Sequence, residues 1–476
     1  MYPTWNQQIL GTGSPAGGSR ILFPPISVLS TTLGMSDSLA CPITAAFFPS
    51  GCFLRAFTIS SAISGTHAIT TLPSFPMLKG SIPSISHAFT TPSLKDGEKI
   101  EDRVSPPYDV IGDDYLKELQ SKKGNVTLLT LKPDADKRYR ESRKTLESWI
   151  ADGTLARDDD SFYLYRQTFD DHGVTKTRTG FVGRLKTESY DKGNIIPHEE
   201  TFSKVKADRL NLLRDMETHL ESIFGIFEGF SDKLNSDIGK AAEKLYEMTD
   251  DTGVKHQYYR IGDKDVISRI SDELKDQKML IADGHHRYET ALNYSLENPN
   301  DENKSFVLAT LVPSHDEGLV IWPTHRLVKA EDIGENTAVK KIAKNISVVE
   351  VSREEMLSKL GDYHFGLLFR SGRCMLAKYD AEGKDPIWNL DTYIAQEVIL
   401  NGIYKADEGK SSVSYDAEID SVLKKMDAKE YDVAIILNHP SLKSIWDLAL
   451  IGKKMPKKTT FFFPKIWSGF VFYKMA

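Results

Sequence analysis

From about residue 95 onward, hydrophobic and polar positions follow two rhythms in alternation, one near period 2 and one near period 3.6. That alternation predicts strands interleaved with helices. Asp113 and Asp114 suit the start of a helix running to 123, because acidic side chains oppose the positive end of the helix dipole. Residues 125–131 (NVTLLTL) are β-branched and apolar and predict a strand. Over 139–150, Leu146, Trp149 and Ile150 recur at helical spacing, and Gly153 supplies a stop. Residues 162–169 (FYLYRQTF) and 177–185 (TRTGFVGRL) alternate large apolar with polar side chains. Asp170, Asp171 and Gly173 between them predict a hairpin.

Ser203 suits a helix cap, and Val205, Leu210, Leu213, Met216 and Leu220 share one face of a helix reaching about 221. Strands are expected at 223–230, 256–261, 279–282, 306–312, 346–351, 365–369, 374–379, 433–437 and 460–463. Helices are expected near 241–248, 267–275, 288–296, 354–360, 392–400 and 442–451. This order predicts an α/β to α+β fold of mixed sheets with interleaved helices.

The first ninety residues break both rhythms. Gly, Pro, Ser and Thr make up 41 of them, and Arg20, Asp37, Arg55 and Lys79 are their only charged groups. Such a stretch buries too little apolar surface to offset the entropy of ordering, so it is expected to be disordered. Its most apolar part, 39–54, is broken by Pro42, Pro49 and Gly51 and falls short of the roughly 18–20 apolar residues that span a bilayer. A transit peptide for an organelle and a mispredicted start of translation are its two other readings. Two of three cysteines, Cys41 and Cys52, lie there, and Cys374 stands alone in the remainder, which points to a reducing compartment and a cytoplasmic location.

Charge narrows the partners. The net charge is −7, and residues 91–476 carry 57 basic against 66 acidic groups. Direct nucleic-acid binding is therefore disfavoured despite the lysines of 453–465 (KKMPKKTTFFFPK), of which Lys457 is the one expected to touch a phosphate. No P-loop, dinucleotide-binding or protein-kinase signature is present.

Four segments carry chemistry. In KMLIADGHHR (278–287) an apolar strand leads through a turn at Asp283 and Gly284 into a helix, which aims unbonded N–H groups at an anion. Arg287 adds a fork for phosphate oxygens, and His285 and His286 can donate hydrogen bonds or shuttle a proton. In IPHEETFSKVKADR (196–209), His198 and Glu199 are candidates for acid–base work, while Lys206 and Arg209 share a helical face and suit phosphate. Two prolines in SPPYDVI (105–111) present Tyr108 and Asp109 rigidly, and WPTHRL (322–327) offers His325 and Arg326; these four are candidates for substrate contact. A zinc site from His198, His219, His285 and His286 is disfavoured, since the spacing is not H-E-x-x-H and no cysteine accompanies them.

PPYDVI, GxIxPHEET, KxDR, ADGHHRYETA and MPKKTTFFFPK, in that order, resemble the domain-of-unknown-function 1015 family over roughly 95–475. The DGHHR turn is also similar to the phosphate-binding turn of the ParB/sulfiredoxin superfamily, which includes ADP-dependent kinases for free serine. The resemblance implies a ParB-like α/β domain at 91–325, a C-terminal α/β domain at 326–476, and a tail at 1–90. Residues 80–93 are a poor match to the strand with which family members open, so that strand is expected to be either missing or misread from the sequence. By the resemblance, 283–287 cradle the phosphates of ATP or ADP, with Mg²⁺ as counter-charge. The reaction expected is phosphoryl transfer to a small hydroxyl compound, free serine among them, with Glu199 as base. A ParB-like nucleotide-binding switch that binds a protein or DNA partner and turns over slowly or not at all is the alternative, and a structural protein with a capped helix and no pocket is the third reading.

Overall fold

A computed structural model describes residues 84–475 apart from 86–87, 91–97, 132–137, 202, 331 and 410. The expectations for 1–83, including the tail and its two cysteines, lie outside the described residues. So do the side chains of Ser203 and Asp109.

Two large sheets organise the chain, with helices between their strands. The first has eight strands, in the order Ile195–Ile196, Met279–Asp283, Ile223–Phe227, Phe306–Pro313, Val174–Lys186, Phe162–Asp171, Lys255–Ile261 and Ala242–Thr249. The hairpin predicted by alternation forms here, closed by His172 and Gly173, both at positive φ, which matches the right-handed twist of the strands. Two neighbouring pairs in this sheet are parallel. Met279 and Leu280 pair Ile195 and Ile196, and Phe306–Pro313 pairs Ile223–Phe227. Leu234, Ile238, Val266, Ile270 and Leu274, on the helices Asp232–Ala241 and Lys264–Leu274, pack into the core of this sheet.

The second sheet has six strands, in the order Ser347–Val351, Cys374–Lys378, Phe365–Phe369, Val433–Leu437, His325–Ala330 and Ser411–Asp416, and every neighbouring pair is antiparallel. Its two faces bury separate apolar clusters, one around Ile342, Phe365 and Ile399 and the other around Met356, Leu376 and Val422. Cys374 is buried in it as a free thiol. Among the described residues no helix is long and apolar enough to cross a membrane.

Three local expectations fail for identifiable reasons. Residues 125–131 hold the helical turn Thr127–Thr130 in place of a strand, because the Asn125 side chain accepts from the Thr127 amide at 3.0 Å and fixes a turn. Residues 242–249 form a strand in place of a helix, since tertiary pairing with Lys255–Ile261 places Tyr246 and Met248 inward at period 2. The helix Ser203–Met216 stops short of 221 because Glu217 takes a positive φ of 46° and the chain turns into the strand Thr218–His219. Of the two readings of the opening strand the second holds, since it is present as Ala88–Thr90, paired on one side with Ala156–Arg157 and on the other with Val471–Lys474.

Candidate functional site

The site begins with a parallel pair. The strands Ile195–Ile196 and Met279–Asp283 run side by side in the same direction, so the residues that follow each emerge at one edge of the sheet. Gly284 follows the second strand at φ 91° and occupies the cap position of the helix His285–Glu297 without any side-chain cap. A β-carbon there would meet the Arg287 guanidinium at 3.0 Å and Ile223 at 3.1 Å, so glycine is required by conformation and by space. The amide of Tyr288 makes the first helical bond, to the Gly284 carbonyl at 2.9 Å, and the N–H groups of 285–287 precede that ladder.

His198, just beyond the first strand, meets His285 at this edge. The His198 amide donates to His285 Nε2 at 3.2 Å, and the rings lie edge to face with centroids 4.6 Å apart. His198 Nδ1 lies 2.7 Å from the Ile281 carbonyl, an acceptor only, so Nδ1 carries the proton. Burial pulls the pKa of both rings below the ordinary histidine value, and for His285 the neighbouring His198 pulls in the same direction. Glu199 is about one-fifth exposed, its Oε1 3.3 Å from the Thr460 hydroxyl and 3.8 Å from His198 Nε2.

Asp283 caps nothing. Its carboxylate accepts from Lys465 Nζ at 2.7 Å and from Arg287 Nη2 at 2.8 Å. Burial raises its pKa, but Lys465 and Arg287 together overcome that and hold the group well below the ordinary carboxylate range. Arg287 also donates to the Ser222 carbonyl. Lys458 contributes positive potential at Asp283 and Lys454 at His285. Those lysines arrive on the C-terminal segment, which docks where the Met455 amide donates to the His198 carbonyl at 2.8 Å.

The other candidates divide. Lys206 Nζ is paired with Glu289 at 2.7 Å, and the same carboxylate accepts from Thr201. Arg209 is paired with Asp208 and lies over the Tyr108 ring at 4.9 Å, which draws the SPPYDVI segment in. His286 sits half-buried on the first helical turn. His325 and Arg326 are buried in the six-stranded sheet. There His325 Nδ1 accepts from the Leu437 amide at 3.1 Å, and Arg326 donates to the Lys458 carbonyl at 3.0 Å. Burial pulls the His325 pKa down to about 4 and that of Arg326 to about 10. His198 and His285 meet, but His219 bonds the Phe306 carbonyl instead, and among the described residues no three His, Cys, Asp or Glu side chains converge as a metal site.

A family described as protein of unknown function (DUF1015) matches residues 87–393, more than half of the chain. The chain belongs to that family. No curated protein matches it.

Among solved structures, this DUF1015 chain is similar to a free serine kinase variant in complex with AMP, at 14% identity and TM-score 0.35, over 56% of this chain and 83% of that one. A conserved hypothetical protein from Pyrococcus furiosus is similar at 15% identity and TM-score 0.34, over 58% and 89% of the two chains. SbnI with a C-terminal truncation, from Staphylococcus aureus, gives 12%, 0.32, 58% and 82%. Likenesses at this level carry no argument about what the DUF1015 chain does.

Sequence reasoning singled out Lys457 among the late lysines, whereas Lys465 is the one bonded to Asp283. Its signal was present, as a lysine one proline beyond an apolar aromatic run that had to be buried. Thr460, between His198 and Glu199, was likewise unremarked in TTFFF.

Proposed function

We propose that this protein is a nucleotide-dependent phosphotransferase acting on a small hydroxyl compound, with ATP or ADP as donor and free serine as the first acceptor to test. The observation that supports this most is the corner where Asp283 holds Lys465 and Arg287 beside the uncapped start of the helix His285–Glu297. Two cations around one carboxylate leave a surplus positive charge, and preorganised charge of that kind is what phosphoryl transfer requires of a protein. In this reading Gly284, His285 and His286 meet the phosphates through the helix start, and Arg287 and Lys465 neutralise them. Lys206 and Arg209 add positive potential from the neighbouring helix.

Glu199 is the base. It takes the proton of the acceptor hydroxyl as that oxygen bonds the terminal phosphorus, and the bond from phosphorus to the bridging oxygen breaks, the electron pair leaving on the nucleotide. Neutral His198, its Nδ1–H held by the Ile281 carbonyl, leaves Nε2 as an acceptor, so the one Thr460 hydroxyl proton serves either that nitrogen at 3.0 Å or Glu199 Oε1 at 3.3 Å, and a change of partner moves it beside the base. The described residues offer Mg²⁺ no cage of three ligands, so the ion would be held mainly by phosphate oxygens and water. Bound in that way it supplies counter-charge for the phosphates.

The neutral histidines and the doubly paired Asp283 also suit a site that holds a nucleotide without turning it over. Thermal shift of the full chain with ATP, ADP and CTP, followed by transfer assays with serine and other alcohols, separates the two. Binding that is lost in Arg287→Ala and retained in Arg287→Lys, with product from one acceptor, supports the transferase. The same binding pattern with no product from any acceptor leaves the switch, and no nucleotide binding removes both.

A further inference from the structure

The six-stranded sheet carries a cavity at the end away from His325 and Arg326. Ala330 closes the strand His325–Ala330, Asp432 directly precedes its neighbour Val433–Leu437, and Phe369 closes Phe365–Phe369, so three adjacent antiparallel strands end together there. Between them and the start of the helix Glu335–Asn345 lies a cavity of about 550 Å³, lined by Asp332, Ile333, Glu335, Phe369, Tyr404 and Asp432 among others. That volume is well inside the range of pockets that hold small organic molecules.

Tyr404 supplies the observation that points to an occupant. The residue is 4% exposed and lines the cavity, yet its hydroxyl makes no hydrogen bond among the described residues. A tyrosine hydroxyl buried to that extent ordinarily has a partner, so the place is open to another polar group. Burial raises the Tyr404 pKa, and the carboxylates of Asp432 and Glu335 add to the rise, which puts both groups near the hydroxyl.

Those carboxylates are unequally occupied. Asp432 accepts from Arg370 at 3.0 Å and from the Ala330 amide at 2.8 Å, and is thereby satisfied. Glu335 accepts from the Ser371 hydroxyl at 2.9 Å through one oxygen only, and Asp332 is exposed, with no hydrogen bond or ion pair among the described residues. Asp332, Glu335 and Asp432 outnumber Arg370, so the wall has a negative surplus that opposes phosphates and carboxylates. A bare metal ion does not fit either, because no three His, Cys, Asp or Glu side chains converge among the described residues. An ammonium group is a donor only, and it matches a free carboxylate oxygen beside a phenolic oxygen able to accept. Ile333 and Phe369 give the rest of such a molecule an apolar wall.

We infer that this cavity is a second ligand site and that its ligand is a small organic amine with an apolar body. The ammonium donates to the Tyr404 hydroxyl oxygen and to the free oxygen of Glu335, Asp332 adds negative potential, and the body lies against Ile333 and Phe369. The inference does not depend on the phosphotransferase reading, because no residue of the Asp283 corner lines the cavity.

The test titrates the full chain calorimetrically with phenethylamine, with phenylethanol, which replaces the ammonium by a hydroxyl, and with phenylpropionate, which replaces it by a carboxylate. Phenethylamine is expected to bind, and the other two at least about tenfold more weakly. Tyr404→Phe keeps the ring, Glu335→Gln keeps the shape and an acceptor for Ser371, and each is expected to weaken phenethylamine at least about tenfold. The melting temperature of Tyr404→Phe is expected to match the parent, because the hydroxyl it removes bonds nothing inside the protein. Asp427→Asn removes a carboxylate that pairs with Arg353 outside the cavity, and unchanged binding in it separates the site from the general acidity of the chain. No phenethylamine binding at about 10 mM, alcohol binding as tight as amine binding, undiminished binding by Tyr404→Phe or Glu335→Gln, or an equal loss in Asp427→Asn overturns the inference. A lowered melting temperature in Tyr404→Phe would give the hydroxyl an internal partner and overturn it as well.

Discussion

The two large sheets are built from the same kind of central strand. Ile223–Phe227 in the eight-stranded sheet and Val433–Leu437 in the six-stranded one are each five residues long and buried throughout. They differ in direction. The first sheet pairs two sets of neighbours in parallel, and the second pairs none. Parallel neighbours share a carboxyl edge, so chain segments far apart in sequence emerge together, as His198 and Asp283 do. Antiparallel neighbours alternate their ends, and in the six-stranded sheet His325 and Arg326 are buried, His325 accepting from the Leu437 amide and Arg326 donating to the Lys458 carbonyl of the segment that reaches His198.

The contrast is tested most severely through Arg178, which is fully buried in the eight-stranded sheet. It donates to Gln167, to the Pro464 carbonyl and to the Phe463 carbonyl at 3.2 Å, tying the segment that carries Lys465 onto that sheet. Arg178→Met leaves these buried acceptors unsatisfied, at about 1–3 kcal/mol each, and a loss of about 4 kcal/mol is expected in guanidinium denaturation. Nucleotide binding falls with it, because Lys465 loses its anchor. Full stability in this variant would mean that the segment docks by its apolar side chains alone.

A matched pair comes next. Leu280→Ala and Ile435→Ala each remove three carbons from a fully buried strand position, one in each sheet, and each is expected to cost about 3 kcal/mol. Only Leu280→Ala weakens nucleotide binding, by tenfold or more, since it lies three residues before Asp283 beside Ile196. Equal loss of binding in both variants would break the distinction between a sheet that gathers a site and one that supports it.

How much of this was legible in the chain follows from the same geometry. The hairpin at 162–186 and the strand, turn and helix around Asp283–Gly284 were readable, because period 2, a buried apolar run and a glycine at a turn are local signals. The strand Ala242–Thr249 was not, since AEKLYEMT has the composition of a helix and only its pairing with Lys255–Ile261 decides otherwise. Asn125 was read as part of a strand because its side chain's bonds to the carbonyls of Asp102 and Val104, both at 3.0 Å, are invisible in a local window. The pairing of Lys465 with Asp283 spans 182 positions, and no periodicity announces a contact of that separation.

pH sharpens the comparison at a smaller scale. In the Asp391–Ile394 helix, burial pushes the Asp391 carboxyl up to about 7 from 3.8, the Asn438 amide only partly opposing it. The folded state therefore holds a proton there that the unfolded state has released, and this group's stabilisation is lost as pH rises from about 4 to 7. His198, His285 and His325 act with the opposite sign, since each is pulled below 6.5 and stability is lost as pH falls through that range. Asp391→Asn is expected to gain stability relative to the parent at pH 7.5, nothing at pH 4, and to leave the acid limb unchanged in melting curves. An unaltered pH profile would place the Asp391 carboxylate in contact with water.

The smallest effect on stability falls at the residue given the largest chemical role. Glu199 is partly exposed, its carboxylate lies at the Thr460 hydroxyl and the edge of His198 and within electrostatic reach of Arg326, and its backbone pairing with Met455 does not depend on the side chain. Glu199→Gln keeps the shape and an acceptor oxygen, so its melting temperature is expected to match the parent, a difference within about 0.5 kcal/mol. Nucleotide binding should also match if, as proposed, Lys465 and Arg287 are the groups that meet the phosphates. Transfer to the acceptor should fall by about 10²–10⁴, the usual contribution of a positioned base. Steady-state turnover measured beside calorimetric nucleotide affinity checks this: a drop in both together would make Glu199 part of the binding wall, and a drop in neither would move the base elsewhere along the same carboxyl edge.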